Sequence, residues 1–246
     1  MLDNLLEFLR EQKPDILAMQ EVSSGRENFC EDKTLDLFDE IKKSTGLHGF
    51  SVPSRGVRYP DGEVCVDSTA FLTRYPVVSD VKTIWLRDYR EYDSRRFRPE
   101  EEKERLPRNA IHAQVRIDGR NVNLFTGHFA WSTSPTDSHE KMRQIRILVD
   151  YIRKLGGEPF ILTGDFNMPP NTHVMEEVSA IGRNWVVEAG IKATLHPKIH
   201  HIAKVKPLFV VDYIFTSGHF RPVKIAAPVM PVSDHLPVIG EFELQG

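Results

Sequence analysis

The chain has 246 residues, 40% of them hydrophobic and 27% charged, enough apolar material for one sizeable core. A formal net charge of -3 excludes a general basic field, so a polyanionic partner must be held by a local patch or through bound cations. The two cysteines, Cys30 and Cys65, suit a reducing compartment better than a disulfide framework; with no signal peptide or membrane span visible, a cytoplasmic monomer is expected.

Leu2, Leu5, Leu6 and Leu9 recur at helical spacing and predict an amphipathic helix over 2–10, ended before Pro14. An apolar strand follows in DILAMQEV, 15–22. A second amphipathic helix is expected over 32–45, with Leu35, Phe38 and Ile41 on one face and Gly46 as its stop. Strands follow at 66–74, 109–117 and 121–129. In the second of these, Ile111, Ala113, Val115 and Ile117 alternate with polar residues, the period of a half-buried strand. The turn DGRN joins the last two as a hairpin. A helix over 138–155 leads to the strand PFILTGDF, 159–166, and further strands are expected at 207–215, 219–226 and 236–244. The arginine- and tyrosine-bearing stretch 87–105 reads as a solvated loop because four glutamates close it. The stretch 191–206, with Lys192, His196, Lys198, His200, His201, Lys204 and Lys206, reads as a basic loop facing the substrate. No repeat or linker divides the chain. Helices alternate with strands early and strands dominate late, which suggests helices outside two facing sheets, an α/β sandwich.

Chemistry-bearing residues collect at the ends of these strands. Glu21 ends the first. Asp165 and Asn167 sit where FILTGDFN leaves its strand, Asp212 lies inside VVDYIF, and Asp234 and His235 immediately precede the last strand. Taken singly, each has a bland reading as a solvated strand end, a turn or a cap. Asp212 is the exception: flanked by Val210, Val211, Ile214 and Phe215, it is expected to be buried, and a buried charge needs a partner. Their joint occurrence in this order is hard to ascribe to coincidence.

DILAMQEV around Glu21, LTGDFN around Asp165, VDYIF around Asp212 and SDHLPV around Asp234 and His235 resemble the endonuclease/exonuclease/phosphatase superfamily over nearly the whole chain. LPRNAIHAQV and NLFTGHF add Arg108 at a strand start and His128 at a strand end. The resemblance implies a four-layer α/β sandwich, two facing mixed and mainly antiparallel sheets flanked by helices, with divalent-metal-dependent phosphoester hydrolysis at one rim. It implies Glu21 as the leading ligand of Mg²⁺, for which Mn²⁺ could substitute, and Asp234 as a second contact. Asp165 and His235 would jointly activate water, with Asp212 orienting His235. His128, Asn167 and Arg108 would bind substrate phosphate, and Asp67 is the candidate acidic partner of His128. The residue types suit the chemistry, since Mg²⁺ is a hard ion that takes oxygen ligands and keeps several waters.

The expected substrate is nucleic acid, phospholipid or a phosphorylated small molecule, with a phosphodiesterase or nuclease reading foremost. The rival is a catalytically weak binding or scaffold protein that kept the fold. A zinc site from His196, His200 and His201 has no cysteine or acid beside it in sequence. Members of the superfamily open with a strand whose asparagine supports the metal, whereas Met1 here leads directly into the helix. The expectation is a single domain over 1–246 lacking that strand, with the true start of translation further upstream.

Overall fold

The computed structural model describes residues 1–28, 30–201 and 208–245. Its helices are α1 (Leu2–Gln12), α2 (Leu37–Thr45), α3 (Pro99–Glu102), α4 (His139–Arg153), α5 (His173–Ser179) and α6 (Trp185–Glu188). Its strands are β1 (Ile16–Ser23), β2 (His48–Arg58), β3 (Val64–Thr73), β4 (Lys82–Arg87), β5 (Arg90–Asp93), β6 (Arg108–Ile117), β7 (Arg120–His128), β8 (Phe160–Asp165), β9 (Arg183–Asn184), β10 (Asp212–Thr216), β11 (Phe220–Ala226) and β12 (Ile239–Leu244). One sheet runs β1-β3-β2-β5, a second β4-β6-β7-β8-β10-β9, and β11 pairs with β12.

The period-two pattern of the strands builds the layers. On β6 and β7, Ile111, Ala113, Val115, Val122 and Leu124 point toward the first sheet and meet Phe71 of β3. Their neighbours Ala110 and Phe125 point the other way, under Ile145, Leu148, Val149 and Ile152 of α4. On the far side, Phe8 and Leu9 of α1 and Ile41 of α2 cover Leu72. The result is the expected α/β sandwich, helix–sheet–sheet–helix, in which each fully buried Leu or Phe contributes about 1.5–3 kcal/mol.

Several local expectations are corrected. α2 begins at Leu37 rather than at 32, because the Asp36 carboxylate accepts from the Phe38 and Asp39 amides and caps the helix there. The stretch 87–105 is not simply a solvated loop: β5 pairs in parallel with β2, and buried Tyr92 packs against Phe97 with ring centroids 4.3 Å apart. The strand expected over 207–215 begins at Asp212, since the Val211 amide is taken by the Thr194 hydroxyl and its carbonyl by Phe166. Lys204 and Lys206 of the expected basic loop lie outside the described residues. Among the described residues β1 is bonded only to β3 and β12 only to β11, while Leu17, Met19 and Ile239 share one apolar cluster beneath α1.

The central strands fix the rim of the site. β7 and β8 run parallel with Thr126-Gly127-His128 paired residue for residue to Thr163-Gly164-Asp165. Gly164 has φ 154°, and a Cβ placed on it would stand 2.2 Å from the Gly127 carbonyl oxygen, so the two backbones approach as only glycine allows.

Candidate active site

Three neighbouring strands set three side chains in a row. His128 ends β7, Asp165 ends β8 beside it, and Asp212 opens β10 opposite Asp165. His128 Nε2 lies 3.6 Å from Asp165 Oδ2, and His235 Nδ1 donates to Asp212 Oδ2 at 2.8 Å. His235 and Asp234 come from the turn before β12. That turn is clamped to residues 194–196: the His196 amide donates to the Asp234 carbonyl, and the Leu236 amide to the Thr194 carbonyl.

Glu21 enters from the other sheet. The β1–β3 register slips between Met19 and Val22, and Glu21 sits in that bulge with φ 54°. A bulge re-aims a side chain beside a functional site at the cost of backbone strain. Here it leaves the carboxylate exposed, with Oε1 3.9 Å from His128 Nδ1. Asn167, also left-handed at φ 52°, donates its amide N–H to Asp165 Oδ1 at 2.8 Å and its side-chain nitrogen to the Phe129 carbonyl at 3.0 Å. The same carbonyl accepts from Arg108 Nε at 3.2 Å. One backbone oxygen therefore organises two of the expected phosphate-binding residues.

The electrostatics follow from this crowding. Burial and the facing charge of Asp212 push the Asp165 carboxyl up to about 7. Burial alone would lower His235, but Asp212, by charge and hydrogen bond, holds it up to about 10. Burial and the positive charges of Arg108 and Arg55 drive His128 well below its ordinary value, so it is neutral. Arg108 is itself buried, only 1% exposed, and its value is lowered by desolvation while Glu21, Asp67 and Asp165 pull the other way. Among the described residues Glu21, Asp165, Asp212 and Asp234 have no Lys or Arg ion pair, and each has a histidine within 4 Å. Four acids with no Lys or Arg partner are a donor set that suits a hard divalent ion.

Residues 1–235 match the model of the Endonuclease/Exonuclease/phosphatase family. The chain belongs to that family. Its members are phosphoester hydrolases, generally dependent on a divalent metal. Similar solved structures include an endonuclease/exonuclease/phosphatase from Bacteroides vulgatus, with TM-score 0.72 at 19% identity, covering 99% of this chain and 90% of that one. A mannosyl-6-phosphatase from Bacteroides thetaiotaomicron gives 0.71 at 16%, covering 97% and 89%. The catalytic domain of human Nocturnin with a bound sulfate anion gives 0.64 at 19%, covering 99% and 86%. At these identities the likeness concerns the fold. No curated protein matches the sequence.

Within this family fold, His128, Asp165, Asn167, Asp212 and His235 stand together, with Glu21 at one end of the row and Asp234 at the other. Glu21 and Asp234 are not side by side: the close acid–histidine groups are Asp165–Asp212–His235 and His200–Asp234–His235, and Glu21 is in neither. Asp67 is buried as expected of an inner acid, but its carboxylate pairs with Arg55 at 2.5 Å rather than with His128. Arg55 is a site neighbour that the sequence did not mark, since SRGVR carries no spacing signal. Its Nε is buried without a hydrogen-bond partner. In the sequence His200 is only one member of a basic stretch; its approach to Asp234, Nε2 to Oδ2 3.9 Å, depends on a clamp between segments distant in sequence. No described helix is long and apolar enough to cross a membrane.

Proposed function

We propose that this family member is a divalent-metal-dependent phosphoester hydrolase, of phosphodiesterase or nuclease type, working at the rim where β7, β8 and β10 end. The observation that carries the reading is the alignment of His128, Asp165 and Asp212 across three adjacent strands, with Asp212 bonded to His235. Glu21 would hold Mg²⁺, or Mn²⁺ in its place, and Asp234 would reach it through water from the far end of the row. When bound, the ion neutralises phosphate charge and stabilises the leaving oxygen.

The chain's own residues do the rest. Asp165, poised near neutrality, takes the proton of the attacking water, a contribution typical of general bases at about 10²–10⁴-fold. His235, kept protonated by Asp212, grips the phosphate and carries the developing charge. Neutral His128 and the Asn167 amide contact phosphate oxygens, and Arg108 adds positive charge from below. Asp212 is a positioning residue: it fixes the His235 ring by accepting from Nδ1.

The substrate is a phosphorylated molecule, with nucleic acid, phospholipid and small phosphoesters as the classes to separate. The acidic net charge disfavours a sequence-indifferent DNA binder. The test is hydrolysis of an activated phosphodiester and an activated phosphomonoester in Mg²⁺, Mn²⁺ or EDTA, with Asp165→Asn and His235→Ala alongside. Equal rates in every condition would remove the enzymatic reading and leave the scaffold alternative. Abasic DNA, single-stranded DNA, sphingomyelin and inositol phosphates then sort the substrate class.

A further inference from the structure

His200, Asp234 and His235 bring one ligand atom each to within 4.8 Å of one another. Two imidazoles and a carboxylate are a donor set for a borderline ion such as Zn²⁺, which takes three protein ligands and a water, rather than for Mg²⁺. Tetrahedral coordination at about 2.0–2.1 Å sets ligand atoms roughly 3.3 Å apart, so rotations of the side chains close the group. We propose that this trio is a zinc site that inhibits the enzyme by occupying Nε2 of His235. The inference rests on the catalytic role given to His235 above.

Three features support it. The Asp212 hydrogen bond occupies Nδ1 of His235, which leaves Nε2 as the ring nitrogen available to a metal, and a carboxylate behind a metal-binding histidine is the usual supporting arrangement. His200 is 9% exposed, aims Nε2 at the Asp234 carboxylate, and packs against His201 with ring centroids 4.4 Å apart and the planes tilted by 31°. The backbone between 194 and 196 is bonded to 234 and 236, and the Thr194 hydroxyl accepts from the Asp212 amide, so both halves of the trio hang on one frame. His196 is not among the atoms brought together in this group, and its Nδ1 accepts from the Lys198 and Ile199 amides and shapes the turn.

The consequence is competition at one mouth. Zinc takes the place of the Nε2 proton of His235 and draws Asp234 away from Mg²⁺. The enzyme would thus be silenced by a nitrogen-seeking cation while an oxygen-seeking one supports it.

The test uses the full chain in saturating Mg²⁺. Titration with Co²⁺, a spectroscopic stand-in for zinc, should produce the visible absorption of a low-symmetry site, and Zn²⁺ should bleach it. Zn²⁺ should also inhibit hydrolysis of an activated phosphodiester. His200→Ala, and His200→Gln as a second variant to guard against misfolding, should weaken Co²⁺ binding and raise the Zn²⁺ concentration for half-inhibition, each by about 10- to 100-fold. His196→Ala should change neither. No Co²⁺ spectrum in the wild type, or equal zinc sensitivity in wild type and both His200 variants, overturns the proposal. The spectrum reads the site even if no hydrolysis is found, so failure here is separable from failure of the hydrolase reading.

Discussion

Asp165 and Asp212 are direct partners across the antiparallel β8–β10 ladder, two carboxylates at one rim position. Like charges so placed oppose folding, and at buried Asp165 desolvation adds to the repulsion. Asp165→Asn should therefore cut kcat by about 10²–10⁴ while raising Tm by roughly 2–4 °C, the change that about 1 kcal/mol makes in a chain of this size. Rate assays and thermal melts on the same preparation check both; a variant that is inactive and also less stable contradicts the assignment.

Asp212→Asn acts on His235 instead. In the wild type, kcat/KM should rise as Asp165 gives up its proton near 7 and fall as His235 loses its own near 10. Removing the negative charge of Asp212 destabilises the imidazolium, so the alkaline limb must move to lower pH. An unshifted limb in a full pH–rate profile would assign it to another group.

Glu21 is a non-glycine residue at positive φ in a strand bulge. Glu21→Ala and Glu21→Gly should both weaken Mg²⁺ activation, read as a higher Mg²⁺ concentration at half-maximal rate. They should differ in stability, since glycine relieves the left-handed strain and alanine does not, by about 1 kcal/mol. Urea melts of the pair decide it, and identical midpoints would mean that the bulge relaxes.

Away from the site, His112 is buried against Phe125, with Nε2 2.8 Å from Asn123 Oδ1 and Nδ1 3.1 Å from the Tyr151 hydroxyl. Burial lowers its value in the folded state. The unfolded chain therefore takes up a proton near 6.5 that the folded chain resists. This contribution to stability is complete above that pH and is lost as the pH falls. His112→Phe keeps the ring stack and should flatten the dependence of unfolding free energy on pH between about 6.5 and 5. A slope equal to wild type would place the acid sensitivity on His128 or His200.

Motif and periodicity make the sandwich, its strand-end residues and the family legible in the sequence. Ile111, Ala113, Val115 and Ile117 alternate strongly enough to fix which face of β6 is inside. β2 was harder, because Pro53, Ser54, Arg55 and Gly56 break any apolar alternation and its register to β3 slips at that point. The row from His128 to Asp212 was readable as a set of strand ends, though not as neighbours, since adjacency is decided by sheet order. The bulge at Glu21 left no local trace, because DILAMQEV reads as an unbroken strand. Asp67 is the opposite case: it lies near the charges of Glu21 and Arg108, but its partner Arg55 comes from the facing strand of the hairpin, which no local pattern marks.

The paired glycines at 127 and 164 set the limits of change in this molecule. The spacing between His128 and Asp165 is held by two backbones in contact, with no side chain between them that could be exchanged for a larger or smaller one. A library randomised at Gly164 should return glycine alone among active clones, whereas the exposed residues 197–199 can vary in composition around an unchanged core of the site. Divergence toward new phosphorylated substrates is thus channelled into that loop, and the distance between the two strands is what a lineage must inherit intact.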